Sequence, residues 1–335
     1  MRVAMNGFGR IGRLVFRIID NDPEIDIVAI NFRKDTKQLA YLLKYDSTFG
    51  RYKTDEISYE DNTLIVGNRK ITIVSEDDPE NLPWKDLDID LVFECTGKFT
   101  DEESANKHIL AGAKKVLISA PAKGNVKTIV YGVNEEILTG EEKIVSASSC
   151  TTNCLAPILK IVNDNFGIKK GFMTTIHAYT NDQTILDGTH SKGSEGRRGR
   201  TAGVNIIPTS TGAANSIGIV IPDLDGKMKG TAMRVPTVDG SCVDLVLELE
   251  RNVSIPMINN IFINQTNEII DATYDPIVSS DVIGTTYGAV VDLSLTDVLD
   301  VDGKQLVKIV GWYDNEFGYS SQMVRTAKYL WNKSK

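Results

Sequence analysis

Apolar residues at the start of the chain change period over a short distance. Arg2 to Asn6 is a short apolar run that meets a glycine turn at once, Gly7-Phe8-Gly9-Arg10-Ile11-Gly12. Ile11, Leu14, Val15, Ile18 and Ile19 then recur at helical spacing until Pro23, and Ile25 to Ile30 reads as a second buried strand. A strand, turn, helix and strand in that order need a right-handed crossover and so a parallel sheet. The pattern predicts more of the same: a strand at Leu91–Glu94, a helix over Asp101–Ala111 and a strand at Val116–Ser119. After Ile144-Val145-Ser146 the character changes. One long helix is expected from Cys150 to about Asn165, with Leu155, Ile158, Leu159 and Val162 on its apolar face. Longer β segments follow at Gly171–Tyr179, Gly230–Val235, Cys242–Leu249, Gly288–Leu295 and Val307–Tyr313, and their short connections suit antiparallel pairing. Between Asn181 and Gly203 runs a polar, Gly- and Arg-rich loop of the length that usually carries function. A last helix is predicted over Phe317–Trp331, with Met323, Val324, Ala327, Leu330 and Trp331 on one face.

The glycine turn is informative because of where it sits. Between a strand and a helix, Gly7 makes the tight turn, Gly9 leaves room for a pyrophosphate and Gly12 lets the helix approach the strand. The helix N-terminus then offers backbone N–H groups to the phosphates. An acid at the end of the second strand, about 20 residues on, would bind the ribose hydroxyls of NAD. Here that strand ends Asn31-Phe32-Arg33-Lys34, and no acid comes until Asp35. A missing carboxylate and adjacent cations favour the 2′-phosphate of NADP. The plainer alternative is that Arg33 and Lys34 form a solvated pair on a loop.

Cys150 lies in Ser148-Ser149-Cys150-Thr151-Thr152-Asn153-Cys154, where a strand end becomes a helix. A thiol at a helix N-terminus is expected to have a lowered pKa and to act as a nucleophile. Cys154 reads as a small core residue. Three histidines and no Cys-x-x-Cys spacing speak against a metal site. His177 ends an apolar strand and is the candidate base, although spacing alone cannot show that it meets Cys150. His108 is placed on a surface helix and His190 in the polar loop.

Composition narrows the field. The 335 residues allow two domains, 41% are hydrophobic and 24% charged, and no apolar run reaches the length of a membrane span. The first residues lack the long apolar stretch of a signal peptide. Four cysteines make no disulfide scaffold and fit reduced thiols in the cytoplasm. A formal net charge of −8 gives nucleic acid or anionic lipid no general attraction.

At these residues the sequence resembles the glyceraldehyde-3-phosphate dehydrogenase family over essentially the whole chain. The matching segments include Asn6 to Gly12, Leu43 to Ser47, Cys95-Thr96-Gly97, Ser149 to Cys154, His177 to Gln183, Pro208 to Ala214, Arg234 to Thr237 and Trp312 to Tyr319. The resemblance implies an α/β Rossmann N-terminal domain plus an α+β catalytic domain with a mainly antiparallel sheet. Its boundaries would be 1–149 with 316–335 for the first and 150–315 for the second, in a homotetramer. It implies oxidation of D-glyceraldehyde 3-phosphate with inorganic phosphate and NAD(P) to 1,3-bisphosphoglycerate, with Cys150 forming the thioester and His177 handling the proton. By carry-over, Thr180 and Arg234 bind the substrate phosphate, while Ser149, Thr151, Arg198, Thr211 and Gly212 serve the inorganic phosphate. Gly7, Gly9, Arg10, Ile11, Gly12, Thr96, Gly97 and Ser119 line the cofactor cleft, with Asn315 on the nicotinamide amide and Tyr319 beside it.

The chain also departs from its relatives. NAD-specific members usually carry Asn-Asp where Asn31-Phe32 stands, and Leu-Pro where Gly188-Thr189 stands. Phe32, Arg33, Lys34, Gly188 and Thr189 therefore resemble members that accept NADP. Asp77, where many members have arginine, would repel a 2′-phosphate. Asn215, in place of a common lysine, has no functional account. Two other readings stay open: an erythrose-4-phosphate dehydrogenase, and a non-catalytic nucleotide-binding or adhesion protein of the same fold.

Overall fold

A computed structural model of the chain describes residues 1–190 and 196–335; part of the predicted polar loop, 191–195, lies outside the described residues. Two compact units emerge, one formed by Met1–Ser149 with Ser320–Lys335 and the other by Cys150–Tyr319.

The first unit is built on a nine-stranded sheet. Arg2–Asn6 lies at its centre, flanked by Asp26–Asn31 on one side and Leu91–Glu94 on the other, all parallel. The order reverses direction at this first strand, so the crevice at its C-terminal end is where such sheets bind ligands. The Arg10–Ile19 helix buries Leu14, Val15, Phe16 and Ile19 against the sheet. Three strands, Ile57–Glu60, Thr63–Val66 and Arg69–Val74, close one edge; the first two join antiparallel, an extension that the periodicity did not predict. Met323, Val324, Ala327 and Leu330 from the last helix, Phe317–Lys333, enter this core. These are four of the five residues of the apolar stripe read from the sequence; the fifth, Trp331, is half-buried and stands outside this core.

The second unit opens with the Cys150–Phe166 helix, as expected, and carries a seven-stranded sheet. Ile168–Ala178 pairs antiparallel with Ser241–Leu249, which pairs antiparallel with Lys304–Tyr313. Two pairings are not antiparallel. Ile168–Ala178 runs parallel to Met228–Val235, because the chain returns between them through the Ala213–Val220 helix. Ile270–Thr273 runs parallel to Ala289–Val301. The sheet is thus mainly, not wholly, antiparallel. Its parallel pair puts His177 directly opposite Arg234.

One histidine is not where the sequence placed it. His108 belongs to the Glu102–Leu110 helix but is fully buried, because the Trp84 indole N–H reaches its Nδ1 at 3.0 Å. With Nδ1 accepting, the proton sits on Nε2, which donates to the buried Glu94 at 3.1 Å. Asn6 and the Thr96 backbone N–H also donate to Glu94, so this carboxylate ties the ends of two central strands together.

Candidate active site

The nucleophile helix begins at Cys150 itself, following a sharp corner at Ser148, whose φ of 61° is in the left-handed region. A non-glycine residue there stores backbone strain, and such strain concentrates at functional sites. Cys150 Sγ lies 3.4 Å from His177 Nε2. His177 Nδ1 is 2.7 Å from the Ala178 carbonyl oxygen, which can only accept. Arg234 Nη1, a donor, also lies 3.1 Å from Nδ1, but the shorter contact to the carbonyl favours a proton on Nδ1, which turns the Nε2 lone pair toward the sulfur. Tyr313 stands edge-on to the ring at 5.9 Å between centroids, and its hydroxyl contacts Thr151 at 3.0 Å and Thr175 at 2.8 Å. The sequence reading gave Tyr313 no role; Thr151 of the Cys150–Phe166 helix and Thr175 and His177 of one strand meet there, and only the fold brings them together.

The electrostatics differ from the expectation of a standing thiolate. Burial pushes the Cys150 thiol above its ordinary value, and the Arg234 guanidinium only partly offsets this. Burial, with help from Arg234, pushes His177 down to about 3. Desolvation outweighs the helix end here because both groups are charged in the alternative state. Both shifts favour a neutral thiol beside a neutral imidazole, with Nε2 facing the sulfur.

Residues expected to bind anions gather on the other side of the histidine. Arg234 Nη1 donates to the Ala178 carbonyl at 3.0 Å and to Thr180 Oγ1 at 2.9 Å. Burial pulls Arg234 below its ordinary value, but a guanidinium stays charged. Its Nε is buried without a hydrogen-bond partner among the described residues, as are Gln183 Nε2 and Thr237 Oγ1. Unspent donors of this kind fit an anionic ligand. Arg198 pairs with Asp182 and donates from Nε to Thr209 Oγ1 at 3.1 Å. Burial pushes Asp182 up, but the Thr180 hydroxyl and Arg198 outweigh it and hold the carboxyl below its usual range. Thr211 and Gly212 stand just beyond, at the start of the Ala213–Val220 helix, where Thr211 Oγ1 accepts the Ala213 N–H at 3.2 Å. The structure thus brings Cys150, His177, Thr180 and Arg234 together and puts Arg198 next to the strand leading to Thr211. Ser149 ends the first unit, and Thr151 is buried against Tyr313.

Asn315 is held from behind. Ser241 Oγ donates to Asn315 Oδ1 at 2.6 Å and accepts the Ala178 N–H at 3.0 Å. Asp314 is an unpredicted neighbour: it accepts backbone N–H groups from Gly284, Glu316 and Phe317. Tyr319 is buried, and its N–H donates to the Asp314 carbonyl at 3.3 Å.

In the first unit the glycine turn fits a dinucleotide. Gly7 has φ +92°, and a Cβ there would sit 2.9 Å from the Thr96 methyl carbon. A Cβ on Gly12 would strike the Gly7 carbonyl oxygen at 2.4 Å, while one on Gly9 would meet nothing within 4 Å. The open side of Gly9 is the space a pyrophosphate needs, in front of a helix that no side chain caps. A cavity of about 310 Å³ is lined by Asn6, Gly7, Phe32, Arg33, Lys34 and Thr96, among others. Arg10 turns instead to Asp46 and stacks over Phe49. Ile11 packs against the core, and Gly97, at φ +70°, and Ser119 follow the ends of neighbouring strands. Asn31 spends its amide on Asn6 Oδ1 at 2.7 Å and the Glu76 carbonyl at 2.9 Å. Arg33, one of the two cations expected to meet a 2′-phosphate, is ion-paired with Asp77 on the cavity wall. Gly188 and Thr189 are exposed on the second unit's loop, where the Gly188 N–H donates to the Gly199 carbonyl at 2.8 Å. Among the described residues, no cluster of His, Cys, Asp and Glu suited to a metal ion occurs, and no helix is long and apolar enough to cross a membrane.

Comparison with known proteins agrees with this geometry. Residues 1–102 match the family described as glyceraldehyde 3-phosphate dehydrogenase, NAD binding domain, and residues 149–315 match its C-terminal domain. The chain is 54% identical over 329 residues to the glyceraldehyde-3-phosphate dehydrogenase of Clostridium pasteurianum, covering 98% of each. It is 49% identical over 331 residues to that of Streptococcus pyogenes, again covering 98% of each. With a thiol and an imidazole in contact in one unit and a dinucleotide turn in the other, and with these matches, this chain belongs to the glyceraldehyde-3-phosphate dehydrogenase family.

Proposed function

We propose that the protein oxidises D-glyceraldehyde 3-phosphate with inorganic phosphate and NAD(P)+ to 1,3-bisphosphoglycerate. The observation that carries this reading is the 3.4 Å approach of Cys150 Sγ to His177 Nε2, with Nδ1 committed to the Ala178 carbonyl. His177 takes the thiol proton as the sulfur attacks the aldehyde carbon, then returns it to the carbonyl oxygen, leaving a neutral hemithioacetal. Its Nε2 next withdraws that hydroxyl proton as the carbon is oxidised to a thioester on Cys150. A nicotinamide cofactor, when bound, would supply this oxidation as the hydride acceptor. A phosphate oxygen attacks the thioester carbon, the C–S bond breaks and His177 returns its proton to the departing sulfur.

Thr180 and Arg234 hold the phosphate end of the aldehyde in this scheme. Ser149, Thr151, Arg198, Thr211 and Gly212 serve the incoming phosphate. Asn315 orients the nicotinamide amide, with Tyr319 beside it. Phe32, Arg33, Lys34, Gly188 and Thr189 lead us to infer that NADP is accepted as well as NAD; the Arg33–Asp77 ion pair limits that acceptance.

Activity with glyceraldehyde 3-phosphate and erythrose 4-phosphate, each with and without inorganic phosphate, tests the assignment. Strict phosphate dependence with the three-carbon substrate is expected; a rate indifferent to phosphate rejects it.

We place the protein in the cytoplasm, on its four unpaired thiols, as a homotetramer. Support for assembly comes from the outer face of the second sheet. Phe172, 70% exposed, stands directly opposite Val246, 38% exposed, on neighbouring strands. A second copy of the chain would cover such apolar pairs. Light scattering of Phe172→Glu should report a smaller species than the unaltered protein.

A further inference from the structure

Two acids that no step of the reaction uses lie behind the nicotinamide asparagine. Asp239 and Asp314 are each 1% exposed, and their side chains are hydrogen-bonded to one another. Their other partners are unequal. Asp314 accepts three backbone N–H groups, from Gly284 at 2.7 Å, Glu316 at 2.8 Å and Phe317 at 2.6 Å. Asp239 accepts one, from Gly240 at 2.8 Å, and its Oδ2 has no donor among the described residues. Two buried carboxyls in contact cannot both be ionised near neutrality, and a carboxylate is favoured where N–H donors converge. Asp314 is therefore the anion, and the shared proton belongs on Asp239.

The surroundings reinforce this. The side-chain charges facing Asp239 are acidic: Asp314 and Glu316 from the segment before the last helix, and the ionisable Cys150 from the nucleophile helix. Burial first, then those acids, push Asp239 up to about 8. Burial also pushes Asp314 up, against the three N–H groups that oppose it. The pair sits against working parts of the site. Asp314 precedes Asn315, and the Asp239-Gly240-Ser241 turn, with Gly240 at φ +81°, delivers the hydroxyl that holds the Asn315 amide. A charge on Asp239 would also raise the Cys150 thiol.

We propose that Asp239 is a positioning residue kept as a neutral carboxylic acid, whose proton locks Asp314 and thereby the Asn315 corner while sparing the nucleophile a buried negative neighbour. This rests on the reading of Asn315 as the nicotinamide contact. Loss of the proton sets two anions against each other, loosens the corner and makes the thiol harder to ionise.

Infrared difference spectra of the full-length protein test the protonation directly. A protonated-carboxyl stretching band should be present near neutrality, vanish as the pH rises through about 8 and be missing in Asp239→Asn. Kinetics test the role. Asp239→Ala should raise the KM for NAD about tenfold with a smaller change in kcat. Asp239→Asn, which still donates to Asp314 but cannot ionise, should recover most of that loss and flatten the alkaline fall in kcat/KM. Absence of the band, an Asn variant as impaired as the Ala variant, or an unchanged alkaline limb each overturns the proposal. Asn315→Ala separates the two readings: an unmoved KM for NAD removes the role of Asn315, while the infrared band still decides the state of Asp239.

Discussion

His177 and Arg234 share one acceptor: the Ala178 carbonyl oxygen takes the Nδ1–H of the ring at 2.7 Å and Nη1 of the guanidinium at 3.0 Å. The parallel pairing of their strands sets the two residues opposite each other, so both side chains are fixed to the same piece of backbone.

His177→Asn removes the proton acceptor and should lower kcat by about 10²–10⁴-fold, the usual contribution of a positioned base. Because His177 is pushed down to about 3, the base stays unprotonated throughout the mildly acidic range. The rate of the unaltered protein should therefore show no loss centred on an ordinary histidine pKa. Steady-state rates across pH check both points.

Cys150→Ser should abolish turnover while leaving cofactor binding intact, since the dinucleotide turn belongs to residues of the first unit. Fluorescence titration with the cofactor beside an activity assay decides this; appreciable turnover refutes covalent catalysis through Cys150.

Asp77→Asn frees the Arg33 guanidinium from its ion pair. One recovered charge-assisted hydrogen bond to a 2′-phosphate is worth about 1.5–3 kcal/mol in favourable geometry, and part of that is screened at this exposed position. We expect kcat/KM with NADP to rise about tenfold, roughly 1.4 kcal/mol, with little change for NAD. In the unaltered protein NADP should work at least comparably to NAD, and a hundredfold preference for NAD would defeat that expectation.

Trp84→Phe leaves His108 Nδ1 buried without its donor. An unsatisfied buried polar group costs about 1–3 kcal/mol, read as a lower denaturant midpoint. An unchanged midpoint would mean that the indole N–H contributes nothing.

Asp239 links stability to pH. Its carboxyl is pushed up to about 8 when folded and is ordinary when unfolded. The folded state thus holds a proton that the unfolded chain has released, and the stabilisation, full in acid, is lost as the pH rises toward 8. Asp239→Asn should flatten this slope in urea titrations at a series of pH values.

The sequence carried the elements whose period is local. The glycine turn, the helix opening at Cys150 and the closing helix over Met323, Val324, Ala327 and Leu330 need only nearby residues to be recognised. Contacts between distant segments were not legible. His108 reads as a surface residue because nothing around it announces Trp84. Asp239 and Asp314 look like ordinary loop acids until the fold sets them together. Parallel pairing of Ile168–Ala178 with Met228–Val235 was hidden because the helix between them, Ala213–Val220, was not predicted. The thiol's state was misjudged for a similar reason. The helix end is visible in a sequence, but the burial that opposes it is not.

The shared Ala178 oxygen works as the zero mark of a ruler. In the proposed reaction one bond from it would set where a proton is removed and the other where a phosphoryl group is gripped, so the span between reacting carbon and anionic tail would be measured against a single atom. On that proposal an aldehyde with one carbon more or fewer would have to buckle or stretch to satisfy both ends, and discrimination by length would follow from this carbonyl.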